Sequence, residues 1–157
     1  MSITIDADAL RRALGRLGSE LDDPSEALDD IGARLADQIR ARLKLGIQYD
    51  GVPMEPLKAA TLKRSGKGRI SPVPLNDTRT HIYKRINHQL EGRDTVAVGM
   101  IDGEAPIGLT HQFGSPKKGI PARPFMPINP AGNVDLPREW EDDVMNAITT
   151  ALRDALK

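Results

Sequence analysis

Three histidines, one serine close to one of them and a run of lysines and arginines are the side chains through which this chain could do chemistry. His81, His88 and His111 are the available imidazoles. A zinc site needs three or four ligands at fixed geometry. The chain has no cysteine, and no two histidines stand at the i, i+4 spacing that puts both on one helix face. No metal and no cofactor is expected. Ser115 follows His111 closely, and Asp102 could complete a triad on paper, as some acid could in most chains. There is no Gly-x-Ser-x-Gly elbow, no Walker A run and no Gly-x-Gly-x-x-Gly after a strand. A hydrolase is therefore the weakest of three readings, with no catalytic residue marked out.

The basic run is Lys58, Lys63, Arg64, Lys67 and Arg69, with no acid between them. Clustered cations of this kind contact phosphates, so a small DNA-binding module is the alternative function. No aromatic residue is interleaved to stack on bases, which argues against a single-strand reader. The 22 basic and 22 acidic residues give a formal net charge of +0, so any attraction to nucleic acid must be local.

The most organised stretch is polar and proline-braced. His111-Gln112-Phe113-Gly114 ends in a glycine that can turn the chain through positive φ. After a short basic loop comes Ile120-Pro121-Ala122-Arg123-Pro124-Phe125. Proline fixes φ and biases its predecessor to extended geometry, so this is a stiff arm anchored by Ile120, Phe125 and Met126. Prolines donate no N–H, which makes it an edge strand or a clasp, not a central strand. His111 and Gln112 are suited to hold the arm by hydrogen bonds to its backbone or to Arg123. Two roles are open for Arg123: fixing its own subunit, or meeting a carboxylate on a partner.

These two runs resemble the phage virion morphogenesis family, which includes the tail completion proteins of Mu-like phages. The resemblance extends to Gly51-Val52-Pro53-Met54-Glu55-Pro56-Leu57, Pro74-Leu75-Asn76-Asp77-Thr78 and Val96-Ala97-Val98-Gly99, and covers most of the chain from Leu28 onward. Family members more often show Leu-Gly after the Phe, where this chain has Met126-Pro127. The resemblance implies a structural, non-enzymatic protein of tail completion and head–tail joining, acting as a ring of identical subunits. Its implied partners are copies of itself and other tail or neck proteins, with non-specific DNA contact open and neither membrane nor small-molecule substrate. It would be made in the host cytoplasm and carried in the virion.

The elements that position these residues follow from periodicity. Asp6 can cap a first helix in which Leu10, Leu14, Leu17 and Leu21 form a stripe, with Ile5 as a staple onto Leu10. Gly15 and Gly18 weaken it by roughly 1 kcal/mol each relative to alanine. Asp23 as cap, Pro24 in the first helical position and Glu26 open a second helix with Leu28, Ile31, Leu35, Ile39 and Leu43 on one face and Gly46 as its stop. Residues 47–76 are dense in Gly and Pro and are expected to be a long flexible loop, with one short helix at Leu57 to Arg64. Asn76 or Asp77 caps a short helix through Tyr83. Lys84 to Leu90 and Thr95 to Met100 are expected to pair across a turn at Glu91 to Asp94, with Ile86, Leu90, Val96 and Val98 on a shared face. Ile107 to Phe113 is a helical turn. A last helix from Pro137 to Leu156 carries Trp140, Val144, Ile148 and Leu152, widened by Ala147, Ala151 and Leu156.

The 157 residues suit a single domain. Its expected class is α+β, with two long amphipathic helices packed on a small antiparallel sheet made from the hairpin and the arm, a long basic loop, and residues 1–22 as a peripheral helix. The opening MSITIDADAL carries acids and no apolar core, so no secretory signal is expected.

Overall fold

Proline and glycine bracket the longest helix in the computed structural model, which describes residues 23–63, 72–76, 82–100 and 105–155 together with Gly15 and Gly18. Helix α1 is Ser25–Leu45. Pro24 occupies its N-cap position, one residue earlier than the sequence suggests, and its carbonyl accepts from Leu28 N–H at 2.9 Å. Asp23 still serves the helix start, because its Oδ1 accepts from the Ser25 N–H at 3.3 Å. At the other end Gly46 takes φ 69°, and the amides of Gly46 and Ile47 bond the carbonyls of Leu43 and Arg42 at 3.2 and 3.0 Å. That pair of bonds satisfies carbonyls that would otherwise be orphaned.

The buried face of α1 is Ile31, Gly32, Ala36, Ile39 and Leu43. It is rotated from the expected stripe: Leu28 and Leu35 are only half-buried. The small residues lie where the sheet approaches most closely. A Cβ at Gly32 would meet Val96 Cγ2 at 2.6 Å and His88 Cβ at 3.0 Å.

That sheet is a hairpin of β1 (Ile86–Leu90) and β2 (Val96–Met100). The register pairs Ile86 with Met100, His88 with Val98 and Leu90 with Val96 on the face toward α1. Asn87 with Gly99 and Gln89 with Ala97 form the opposite face. The first strand is shorter than expected, because Lys84 and Arg85 belong to a helical turn, α3 (Ile82–Arg85), that runs directly into it. An earlier turn, α2 (Ala59–Lys63), follows α1. Helix α4 is Ala105–Phe113, longer than the single turn expected, and α5 is Arg138–Ala155.

Two expectations about the sheet are corrected. The arm does not join it: among the described residues the sheet has two strands. The prolines leave the arm too few N–H groups to continue a ladder, and those it keeps are bonded elsewhere. Nor does the last helix lie on the sheet; it packs chiefly on α1. The two helices run antiparallel, with Gln38 bonded to Asp143 and Arg42 to Glu139. Trp140 is 2% exposed beneath the Arg42 guanidinium, which stands 5.1 Å from its ring centroid. The class is α+β.

The core gathers Ile39, Leu43, Ile82, Ile86 and Trp140 with residues from irregular segments: Met54, Leu75 and Phe125. Met54 and Leu75 pin the stretch after α1 at both ends of residues 64–71, which lie outside the described residues along with 77–81 and 101–104. The helix expected over residues 5–21 also lies outside them, except that Gly15 and Gly18 are helical.

Gly32→Ala is expected to lower stability by about 1–2 kcal/mol, although alanine is the better helix former, because the added methyl overlaps Val96. Gly15→Ala, whose methyl would meet nothing within 4 Å, has the opposite sign. Urea denaturation of both variants checks the pair; a stabilised Gly32→Ala would mean the helix and sheet are not in this contact.

Candidate functional site

Helix α4 ends at Gly114, where φ is 74°. A Cβ there would lie 2.8 Å from Ala122 N and 3.0 Å from Ile120 O, so the returning chain crosses directly over the glycine. Both the positive φ and the missing side chain are required. Between them Ser115 and Ile120 exchange two backbone bonds, N–H to O at 2.8 and 3.0 Å. A 3-10 turn, Pro116–Lys118, and Gly119 at φ 62° close the tip. The basic loop of the sequence is this tight turn, with Lys117 and Lys118 exposed.

Beyond the tip the arm is held by one side chain. Gln112 is 4% exposed. Its Oε1 accepts from the amides of Phe125 and Met126, each at 3.0 Å. Its Nε2 donates to the carbonyls of Met126 at 2.9 Å and Ile128 at 3.0 Å. A primary amide has two N–H donors and one oxygen with two lone pairs, so these bonds saturate it. Arg123 N–H adds a bond to His111 O at 2.7 Å.

The far side of the arm is tied to the segment after α1. Arg123 is 4% exposed, and its guanidinium points inward: Nε donates to Glu55 O at 2.8 Å and an Nη to Pro56 O at 3.2 Å. Tyr49 N–H donates to Pro124 O at 3.2 Å, and the Tyr49 hydroxyl donates to Asp135 at 3.0 Å. Burial, then the Asp135 carboxylate, raises the Tyr49 pKa. The arm is thus laced between α4 on one side and residues 49–56 on the other. Phe125 drops from it into the core at 3% exposed, whereas Phe113 at the end of α4 is 41% exposed.

His111 sits half-buried beside this lacing. Its Nδ1 is buried and finds no hydrogen-bond partner among the described residues. Burial first, and the Arg123 charge second, hold its pKa below the ordinary imidazole value. His88 is distant from it on β1, with Nε2 3.0 Å from Asp29 Oδ1. His81 and Asp102 lie outside the described residues. Among the described residues no three His, Asp or Glu side chains come together as a metal site. Ser115 lies in the tip hairpin, joined to Ile120 through its backbone.

Of the basic run, Lys58 donates to Gly119 O at 3.1 Å, which brings it against the tip of the arm. Lys63 ends α2, and Arg64, Lys67 and Arg69 lie outside the described residues.

One feature is not indicated by any motif. A groove of about 570 Å³ opens between β2 and α4, lined by residues 97–100 of β2, Leu109 and Phe113 of α4, and Met126 and Ile128 beyond the arm. Its lining is mainly apolar, and Leu109 is 57% exposed at its edge. Its walls come from segments separate in sequence, which no local spacing announces.

A braced arm beside an open apolar groove is a surface suited to docking. Residues 5–155 match the model of the phage virion morphogenesis family. The chain belongs to this family. Neither curated proteins nor solved structures yield a match. Membership supports a role in building the phage particle, and no helix among the described residues is long and apolar enough to cross a membrane.

Gln112→Leu keeps the volume but leaves two amides and two carbonyls of the arm unpaired. Each buried group so stranded costs about 1–3 kcal/mol, and the variant is expected to lose at least ~3 kcal/mol in chemical denaturation. A loss under ~1 kcal/mol would show that the arm is held by other means. His111 gives a pH signature. Its folded pKa is depressed, so the unfolded chain takes up the proton first as pH falls. Stability is full above the unfolded value of about 6.5 and declines as pH drops through it toward the lower folded value. His111→Gln is expected to flatten that part of the stability–pH curve.

Proposed function

We propose that this protein completes the phage tail and joins it to the head, working as a ring of identical subunits and catalysing no reaction. The observation that carries this reading is the groove beside the clamped arm: an apolar surface with exposed Leu109 and Phe113, held by backbone that Gln112 and Arg123 make rigid. A ring needs a heterologous interface, one patch of each subunit meeting a different patch of the next. A pre-ordered surface loses little conformational entropy on docking, which favours such a contact. Its further partners are tail or neck proteins, met during assembly in the host cytoplasm, and the protein stays in the virion.

A second reading has one observation behind it. The Lys58 bond to Gly119 sets that one lysine of the basic run beside the turn that exposes Lys117 and Lys118, a local positive patch suited to phosphates. On that reading the protein binds duplex DNA with an affinity that falls steeply with salt.

Electron microscopy of particles from a phage lacking this protein separates these. The expected result is filled heads beside unjoined tails, with joining restored by the wild-type chain but not by Phe113→Asp. Phe113 is exposed, so that variant should keep its fold. Normal virions without the protein would refute the assembly role. Steeply salt-dependent duplex binding, lost in Lys117→Glu/Lys118→Glu, together with undisturbed joining, would favour the DNA reading.

A further inference from the structure

The hairpin has one capped edge and one open edge. Glu91 N–H donates to Thr95 O at 2.8 Å. Counting along the ladder from that bond, bonded and non-bonded pairs alternate. Gln89 with Ala97 and Asn87 with Gly99 are bonded pairs, so the backbone N–H and C=O of Val96, Val98 and Met100 turn outward from β2. On β1 the outward groups belong to Ile86, His88 and Leu90. Arg40 lies along that edge, with Nε donating to Ile86 O at 2.9 Å and Nη2 to Asn87 Oδ1 at 3.3 Å. Among the described residues no hydrogen bond reaches the outward groups of β2. Natural edges are blunted by charge, proline or a bulge, and Val96-Ala97-Val98-Gly99-Met100 has none of these.

The groove follows this open edge. Residues 97–100 all line it, although their side chains alternate between the two faces of the sheet, and no residue of β1 does. A cavity that takes both faces of one strand and nothing of its neighbour runs along that strand's free side. Helix α4 touches the strand at Met100, where a Cβ on Gly108 would lie 2.7 Å from the sulfur. The outward groups of Val96 and Val98 are the ones left accessible.

We propose that the groove takes an extended segment of another tail or neck protein, which adds to β2 as a third strand. This rests on the assembly reading and names the form in which the partner docks. Main-chain bonds to Val96 and Val98 set its register, and its alternate side chains enter the groove. Those side chains are apolar, because Leu109, Phe113, Met126 and Ile128 line the space they enter. Among the described residues Glu91 is the one charge in the lining, and it is exposed at the hairpin turn. The incoming segment therefore carries a lysine or arginine at that end.

A different protein fits this role better than a second copy. Among the described residues β1 is the only other strand, and Arg40 occupies its edge. The arm has lost the donors of a ladder to its prolines. Pairing β2 with β2 of a second copy is isologous and stops at two subunits, so it does not build a ring.

Hydrogen exchange read amide by amide tests the pairing. In the dilute isolated protein Val96 and Val98 are expected to exchange much faster than Ala97 and Gly99, whose amides face β1. In the protein bound to tails, Val96 and Val98 should slow by about tenfold or more. No slowing on tails would overturn the proposal. So would slow exchange at Val96 and Val98 in the dilute chain, which would mean that its own residues take the edge. Slowing that appears in the isolated protein as its concentration is raised would assign the edge to a second copy and overturn the choice of partner. Val96→Pro gives an independent check. It deletes one outward donor at the first residue of an edge strand, where proline is tolerated. Val96→Ala trims the same packing against Gly32 but keeps the N–H. In competition for tails lacking the protein, Val96→Pro should be taken up about tenfold less than Val96→Ala, as expected for one net hydrogen bond. Equal uptake of the two, with joining still blocked by Phe113→Asp, would sink the strand pairing and leave the assembly role standing. Normal virions without the protein would remove both.

Discussion

The arrangement depends on how a proline-rich segment can be held when it cannot hold itself. Pro121, Pro124 and Pro127 remove three of the donors that a strand would use. The remaining amides and carbonyls would be stranded in the interior, at about 1–3 kcal/mol each, unless something outside the segment met them. One side-chain amide, that of Gln112, meets four of them. This explains why a polar residue tolerates 4% exposure, and why α4 must end where it does. The amide reaches Phe125 and Met126 only because Gly114 lets the arm cross within van der Waals contact of the helix end.

Rigidity then spreads from that crossing. With its backbone clamped, the arm can drive Phe125 into the core and turn Arg123 toward the carbonyls of Glu55 and Pro56. The guanidinium is weakly hydrated and planar, which suits a buried position against carbonyl oxygens better than an ammonium would. A segment without regular secondary structure becomes as fixed as a strand, and so does the chain from Tyr49 to Pro56 that it grips.

Local pattern made much of this legible. The bounds of α1 and α5 follow from apolar spacing and end residues, and the hairpin from its alternation and its Glu91–Asp94 turn. The α+β class follows from those elements. The pairing of Gln112 with the arm was within reach because the partners are close in sequence. What periodicity could not show was set at long range. The contact of Arg123 with Glu55 joins residues far apart along the chain, and no spacing encodes it. The burial of Gly32 and Ala36 in preference to Leu28 and Leu35 depends on how near the sheet comes, which is a property of the packed molecule. The groove is hidden for a related reason: its walls come from β2, α4 and the chain beyond the arm, which only the fold brings together.

On the proposed function, the contrast between the two phenylalanines separates folding from assembly. Phe125 and Phe113 stand at the two ends of one hydrogen-bonded crossing, yet one is 3% and the other 41% exposed. The same clamp that buries the first fixes the position of the second. A side chain presented from backbone that is already ordered gives up only its own rotamer freedom on docking, about 0.5–1.5 kcal/mol, while a flexible loop would also lose backbone entropy at every residue. The cost of ordering the arm is met during folding, by bonds within one subunit. Association can then draw on apolar burial alone, at roughly 25 cal/mol per Å². That division suits a part that must add to a growing particle from dilute solution and remain there.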